Sequence, residues 1–181
     1  MIGVLMFCAM LLQSAVPMAL KPAIDNDRVT VWDANVSVRP VDAVIISPSG
    51  NAEWAPKGAT PKTTGRALTI DLKDHPVPPY PNTTSYPLAF PRPGSKKLFE
   101  NARVIVWDYA WTPNVATPMH FHDKDVVVYF LEDGDLSSTT PDGKSVVNQY
   151  TAGTPKFNQG NRTHTETLVR GKQRAIITEL K

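Results

Sequence analysis

Residues 102–111 read ARVIVWDYAW and residues 125–131 read DVVVYFL. Both stretches are dominated by β-branched and aromatic side chains, which pack well on a pleated surface and lose rotamer freedom in a helix. Glu132-Asp133-Gly134 and Thr140-Pro141-Asp142-Gly143 follow as turn sequences. Further short strands are expected over 145–150 and 167–180. No stretch carries a helical apolar period of useful length, and each of the 17 prolines in the 181 residues removes a backbone donor. Short strands punctuated by turns predict an all-β barrel or sandwich.

Working outward, the first of these strands has a copy. Asn26-Asp27-Arg28-Val29-Thr30-Val31-Trp32-Asp33 matches Asn101-Ala102-Arg103-Val104-Ile105-Val106-Trp107-Asp108 at six of eight positions. Residues 66–73, RALTIDLK, resemble residues 174–181, RAIITELK, in the same order. Two units with matched ends, 26–73 and 101–181, are expected from a duplicated β module whose first copy has lost its middle. Trp32 and Trp107 occupy equivalent positions, and with Trp111 are read as structural.

Between the units, residues 74–100 include a proline-rich connector. Pro76, Pro78, Pro79, Pro81, Pro87, Pro91 and Pro93 exclude helix and central strand there. Tyr80, Tyr86, Leu88 and Phe90 give it apolar groups to bury, so it is expected to wrap the barrel rather than to hang as a solvated linker.

Residues 1–12, MIGVLMFCAMLL, are continuously apolar. As a helix they would rise about 18 Å, short of the roughly 30 Å bilayer core. Their length suits the apolar region of a secretory signal over residues 1–19, with Ala15 or Ala19 at the cleavage point, or else an uncleaved anchor. A secreted or periplasmic protein is expected, with no membrane span in the mature body. Asn35, Asn82 and Asn161 stand in Asn-x-Ser/Thr sequences, which matter only where the host glycosylates.

Charge narrows the function. Nineteen Lys and Arg oppose 17 Asp and Glu, with no basic block, which argues against a nucleic-acid partner. The single cysteine, Cys8, excludes an internal disulfide and a cysteine-based zinc site. The chemistry falls to four histidines, of which His75 at the connector is read as incidental. His120 and His122 are two residues apart on a strand entry, so both imidazoles face one way. His164 starts a later strand and would complete a three-nitrogen site if the barrel brings it across. Neutral imidazoles suit Zn, Fe, Ni, Cu or Mn, with a carboxylate beside them.

At these residues the sequence resembles the cupin family. Pro-Met-His120-Phe-His122-Asp-Lys-Asp125, running on to Gly134, is similar to that family's first motif, in which His-x-His is followed by Glu and Gly. Gly153 to His164 is similar to the second, which ends on His and Asn. Asn114 stands where the first motif opens with Gly, and Gln159, Asn161 and Leu168 stand for Pro, Gly and Asn of the second. The Glu position falls on Asp125, one residue early, or on Val126. The resemblance implies a cupin-like double-stranded β-helix, or jelly-roll barrel, over 101–181, with the shorter unit a degenerate half-repeat. It implies a divalent transition metal held by His120, His122 and His164, with Asp125 as fourth ligand.

A metal so held leaves positions open for a small-molecule substrate. Glu166, two residues past His164, is a candidate proton carrier, or else a surface group paired with Arg162 or Arg170. Tyr129 lines the cavity or packs in the core. The expected function is a metal-dependent enzyme of oxygenase, isomerase or lyase type. The alternative is a non-enzymatic cupin that binds a small ligand, or assembles through its duplicated β edges, as in a homodimer.

Overall fold

The computed structural model describes residues 21–181, so the expected signal over residues 1–19 lies outside the described residues. Every helix or strand element among them is a strand. The first unit supplies β1 (Ile24–Asp25), β2 (Val29–Asn35), β3 (Ala43–Ile46), β4 (Ala52–Ala55) and β5 (Arg66–Leu72). The second begins with β6 (Lys96–Glu100), β7 (Val104–Ala110), β8 (His120–His122), β9 (Val126–Phe130) and β10 (Gly134–Thr139). It ends with β11 (Ser145–Tyr150), β12 (Pro155–Asn158), β13 (Arg162–Gly171) and β14 (Arg174–Leu180).

These strands pair into three antiparallel sheets. The first unit forms one sheet, β1-β2-β5-β3-β4. The second forms two, β6-β7-β14-β9-β12 and β11-β10-β13-β8. The two five-stranded sheets have the same order of equivalent strands. What the short unit lacks is the third sheet. Residues 47–51 join β3 to β4, where β10 and β11 lie between β9 and β12, and plain loops replace β8 and β13. The second unit is thus the all-β jelly-roll barrel, with a single sheet of the same build laid against it.

That arrangement explains why 126–130 is apolar at every position. One face of β9 carries Val127 and Tyr129 into the core shared with Val29, Val31, Val44, Ile46, Leu68 and Ile70 of the first sheet. The other face carries Val126, Val128 and Phe130 into the barrel, with Trp107, Tyr109, Leu136, Leu168 and Ile177. A strand covered on both sides loses its polar alternation, and all five residues are buried. Truncating one of these large apolar groups to alanine costs about 2–5 kcal/mol.

The sheets are locked by bonds that repeat across the two copies. Arg28 Nη2 donates to the Lys181 carbonyl and Arg103 Nη2 to the Lys73 carbonyl, so each unit's arginine holds the other unit's end. Trp32 Nε1 donates to Asp71, and Trp107 Nε1 to Glu179, at 2.8 and 2.7 Å. Arg66 and Arg174 each grip the aspartate after that tryptophan, Asp33 and Asp108, with two nitrogens. Asn26 and Asn101 each accept from two backbone N–H groups at the strand entry.

The proline-rich segment runs along β8. Phe121 N donates to the Pro87 carbonyl and Ala89 N to the Phe121 carbonyl, both at 2.8 Å. Of its large apolar residues Phe90 is buried, Tyr80 and Tyr86 are half-buried, and Leu88 is exposed. Phe90 stacks on Trp107 at 5.2 Å between ring centres, and the chain then delivers Arg92 into the barrel mouth.

Candidate metal centre

The short strand β8 puts His120 and His122 on one face, and its pairing with β13 sets His164 directly opposite His120. The Nε2 atoms of His120 and His122 are 3.2 Å apart, and those of His122 and His164 are 3.1 Å apart. All three rings are buried. His120 Nδ1 is 2.7 Å from the Pro118 carbonyl, which only accepts, so Nδ1 carries the proton and the Nε2 lone pair is turned toward the other two rings and Arg92. His164 Nδ1 is held by the Ser138 hydroxyl at 3.0 Å, while His122 Nδ1 has no partner.

Burial keeps these rings neutral. It pushes the His120 imidazolium down to about 4, with the Arg92 charge acting the same way. Burial also depresses His164, and drives His122 well below the ordinary range. Where each ring carries its proton on Nδ1, as His120 does, the converging Nε2 lone pairs repel one another unless a cation sits between them. Metal–nitrogen bonds of about 2.0–2.1 Å at tetrahedral or octahedral angles place ligand atoms about 2.9–3.4 Å apart. The measured separations fall in that interval, so the donor set fits a divalent transition metal.

Glu166 shares the β13 face with His164. Its Oε2 accepts from Trp111 Nε1 at 3.1 Å and from Arg92 Nη2 at 3.3 Å, leaving Oε1 at 3.9 Å from His164 Nε2. Burial, the largest single influence, works to raise its pKa, but Arg92, the two neighbouring histidines and the Trp111 hydrogen bond together outweigh it and hold the carboxyl below its usual range. It is no surface group: its partner is Arg92, and Arg170 grips Asp135 instead.

Two expected residues stand elsewhere. Asp125 is not a ligand: its Oδ2 accepts from Arg28 Nη1 and its Oδ1 from Gly160 N, both at 2.8 Å. The reason is strand parity. Val126 faces the cavity, so its predecessor points the opposite way, toward the first sheet. Tyr129 fails as a cavity residue by the same parity, since it packs in the core between the sheets.

Arg92 was the residue hardest to see. Its guanidinium lies over Tyr109 at 4.0 Å and near Phe90 at 4.8 Å, and Nη1 reaches His120 Nε2 at 3.2 Å. The only signal in the sequence is a cation beside an aromatic residue in a proline-rich run. Trp111, read as structural, also bonds into the site through Glu166. A cavity of ≈ 90 Å³ opens beside the histidines, between Glu166, Arg92 and Arg162 and a wall that includes Phe130, Leu136 and Ile177.

Asn114 and Asn161 hold left-handed backbone angles, φ 59° and 56°. These are two positions where the cupin motifs carry glycine, and asparagine is the side-chain-bearing residue that tolerates them best.

No family model matches the chain, and no curated protein matches it either. Solved structures do. A cupin domain from Bordetella pertussis is 28% identical over 50% of this chain and 97% of its own, with a TM-score of 0.44. The polyketide cyclase RemF from Streptomyces resistomycificus is 25% identical over 49% and 68%, with a TM-score of 0.38. An RmlC-like cupin family protein with a double-stranded β-helix fold from Methanocaldococcus jannaschii is 12% identical over 59% and 91%, with a TM-score of 0.40. With its two-walled barrel and three histidines converging on the inner face of one wall, the second unit of this chain is the part that is similar to these cupin structures.

Proposed function

We propose that His120, His122 and His164 hold a divalent transition metal (Fe, Mn, Zn, Ni or Cu) and that this centre acts on a small molecule entering the adjoining cavity. The observation that carries the reading is the convergence of three buried Nε2 atoms. When bound, the metal supplies a Lewis acid for a substrate oxygen, or activates water or dioxygen. The chain's own groups do the rest. Glu166 Oε1, free of hydrogen bonds, takes or returns a proton beside His164, while Oε2 stays anchored by Trp111 and Arg92. Phe90 and Trp111 help wall the cavity from water. Ser138 fixes the His164 ring and Pro118 the His120 ring, as outer groups do at metal sites.

Metal analysis tests this. The protein is purified without an affinity histidine tag, and its metals are measured by mass spectrometry alongside His120→Ala and His164→Ala, with folding followed by circular dichroism. Near-stoichiometric metal, lost in both folded variants, is the expected result. No metal in the wild type after reconstitution with each of the five ions refutes it.

A second reading has its own support. With Asp125 engaged by Arg28, the three histidines lack a carboxylate ligand from β9, which fits a cupin that binds a ligand without turning it over. Metal-loaded protein that binds small molecules but leaves them chemically unchanged under air and under argon would establish it. Export rests on residues 1–19; fractionation with N-terminal sequencing should find a shortened chain outside the cytoplasm. A full-length cytoplasmic chain would refute it.

A further inference from the structure

We infer that the ligand of this cavity is a small organic anion, its carboxylate drawn to Arg162 and Lys156 and its apolar body laid against Phe130, Leu136 and Ile177. This rests on the proposal that the space beside the three histidines is the ligand site, and it adds the ligand's charge.

The argument is one of unbalanced buried charge. Arg92, Arg162 and Lys156 all line the cavity, and Glu166 is the only carboxylate among its lining residues. A bound divalent metal would raise the excess of positive charge further. Enclosed charge that is not neutralised is costly, and a site that tolerates it is built to receive the opposite charge.

Arg162 stands out among the three. It lies on β13 two residues before His164, so it shares the inner face with the histidine and Glu166. Among the described residues it forms no ion pair with any carboxylate, and its Nε is buried without a partner. Other arginines here are spoken for: Arg28, Arg39, Arg66, Arg170 and Arg174 each grip an aspartate. A planar guanidinium with free donors matches a carboxylate in both charge and geometry. Lys156 adds a point charge from β12, with Nζ 3.2 Å from the Tyr150 hydroxyl, and Asn148 and Asn158 complete the polar side. The opposite wall is apolar, so a bare inorganic ion would leave it unused.

Calorimetry on the full protein, metal-loaded and chelator-treated, separates this inference from the metal reading. The probes are benzoate and hexanoate, each against its neutral amide. At least one carboxylate is expected to bind about 10-fold or more tightly than its amide. Arg162→Gln is expected to weaken that binding about 10-fold with metal content unchanged, and Lys156→Gln, the substitution less able to disturb folding, several-fold. Amides binding as well as carboxylates, or no binding of either, overturns the inference. So does carboxylate binding to metal-loaded protein that neither variant weakens, because the anion would then be held by the metal alone. Carboxylate binding that needs Arg162 in a protein that retains no metal would refute the metal centre and leave the anion site standing.

Discussion

Replacing Arg28 by alanine leaves Asp125 without its cation at a largely buried position. The pair is 2.8 Å apart, and the two side chains are 9% and 5% exposed. The equivalent pair in the other copy, Arg103 with Asp42, is 3.4 Å apart and about a third exposed on both sides. The two arginines descend from one sequence position and each also holds the far unit's last carbonyl, so symmetry alone predicts equal effects. Burial predicts otherwise. Removing one partner of a buried pair costs about 3–5 kcal/mol, because the other charge is left uncompensated. Removing one partner of a screened, half-open pair costs about 0–1 kcal/mol. Losing the bond to Lys181 or Lys73 adds a similar amount to each side and cancels in the comparison. Urea unfolding followed by circular dichroism reads the difference. With a slope of about 2 kcal/mol per molar, Arg28→Ala should lower the midpoint by about 1–2.5 M more than Arg103→Ala does. Adding Asp125→Asn to Arg28→Ala should recover part of the loss, since the orphaned charge is gone. Equal midpoints for the two arginine variants, or no recovery in the double variant, would refute the reasoning.

The remaining predictions are shorter. The metal-free protein should lose stability as pH falls from 6.5 toward 4: His120 has a folded pKa of about 4 against 6.5 unfolded, so the unfolded chain takes the proton first. That single group accounts for up to about 3 kcal/mol, fully retained above pH 6.5; a urea midpoint that stays level across the interval would contradict it. Tyr129→Phe should leave metal content unchanged, because the phenol packs between the sheets, and lost metal in a folded variant would restore it to the site. Gly171→Ala should destabilise by more than about 1 kcal/mol: φ is 78°, and a Cβ there would lie 2.6 Å from the Asp133 carbonyl oxygen. A melting temperature within a degree or so of wild type would show that the turn relaxes at little cost.

How far the sequence could be read depended on whether a feature was local. The runs at 102–111 and 125–131 announced strands because β-branched and aromatic packing leaves a mark on adjacent residues. The copies at 26–33 and 101–108 announced a repeat, since matched ends survive even when the middle is gone. His-x-His needed only period-two geometry, and His164 only the assumption that a barrel closes. The carboxylate was misplaced for an equally physical reason. One residue of offset reverses the face of a strand, so Asp125 beside Val126 is as far from the histidines as parity can put it, and a spacing pattern with a missing residue cannot say which neighbour inherits the role. Arg92 was not legible at all. Its place depends on how an irregular, proline-rich segment folds back along β8, and such a path has no period to read.

The residues shared by the two copies fasten the strands within each unit, and one pair, Arg28 and Arg103, joins the units. Asn26 and Asn101 cap the strand entries, Arg28 and Arg103 bind across to the opposite unit's end, and Trp32 and Trp107 donate to the equivalent acids Asp71 and Glu179. The arginine bonds are reciprocal, as in the interface of a two-fold dimer, though here both halves lie on one chain. The residues found in only one copy build the cavity: the histidines, Glu166, Arg162 and the apolar wall. The third sheet could disappear from the first unit because none of the cross-unit bonds passes through it. Its loss leaves the face around Ile45, buried against Ala43, Ala55 and Ala67, with loops in place of a barrel wall. One copy therefore keeps the packing surface alone, and the other keeps that surface together with the pocket beside the three histidines.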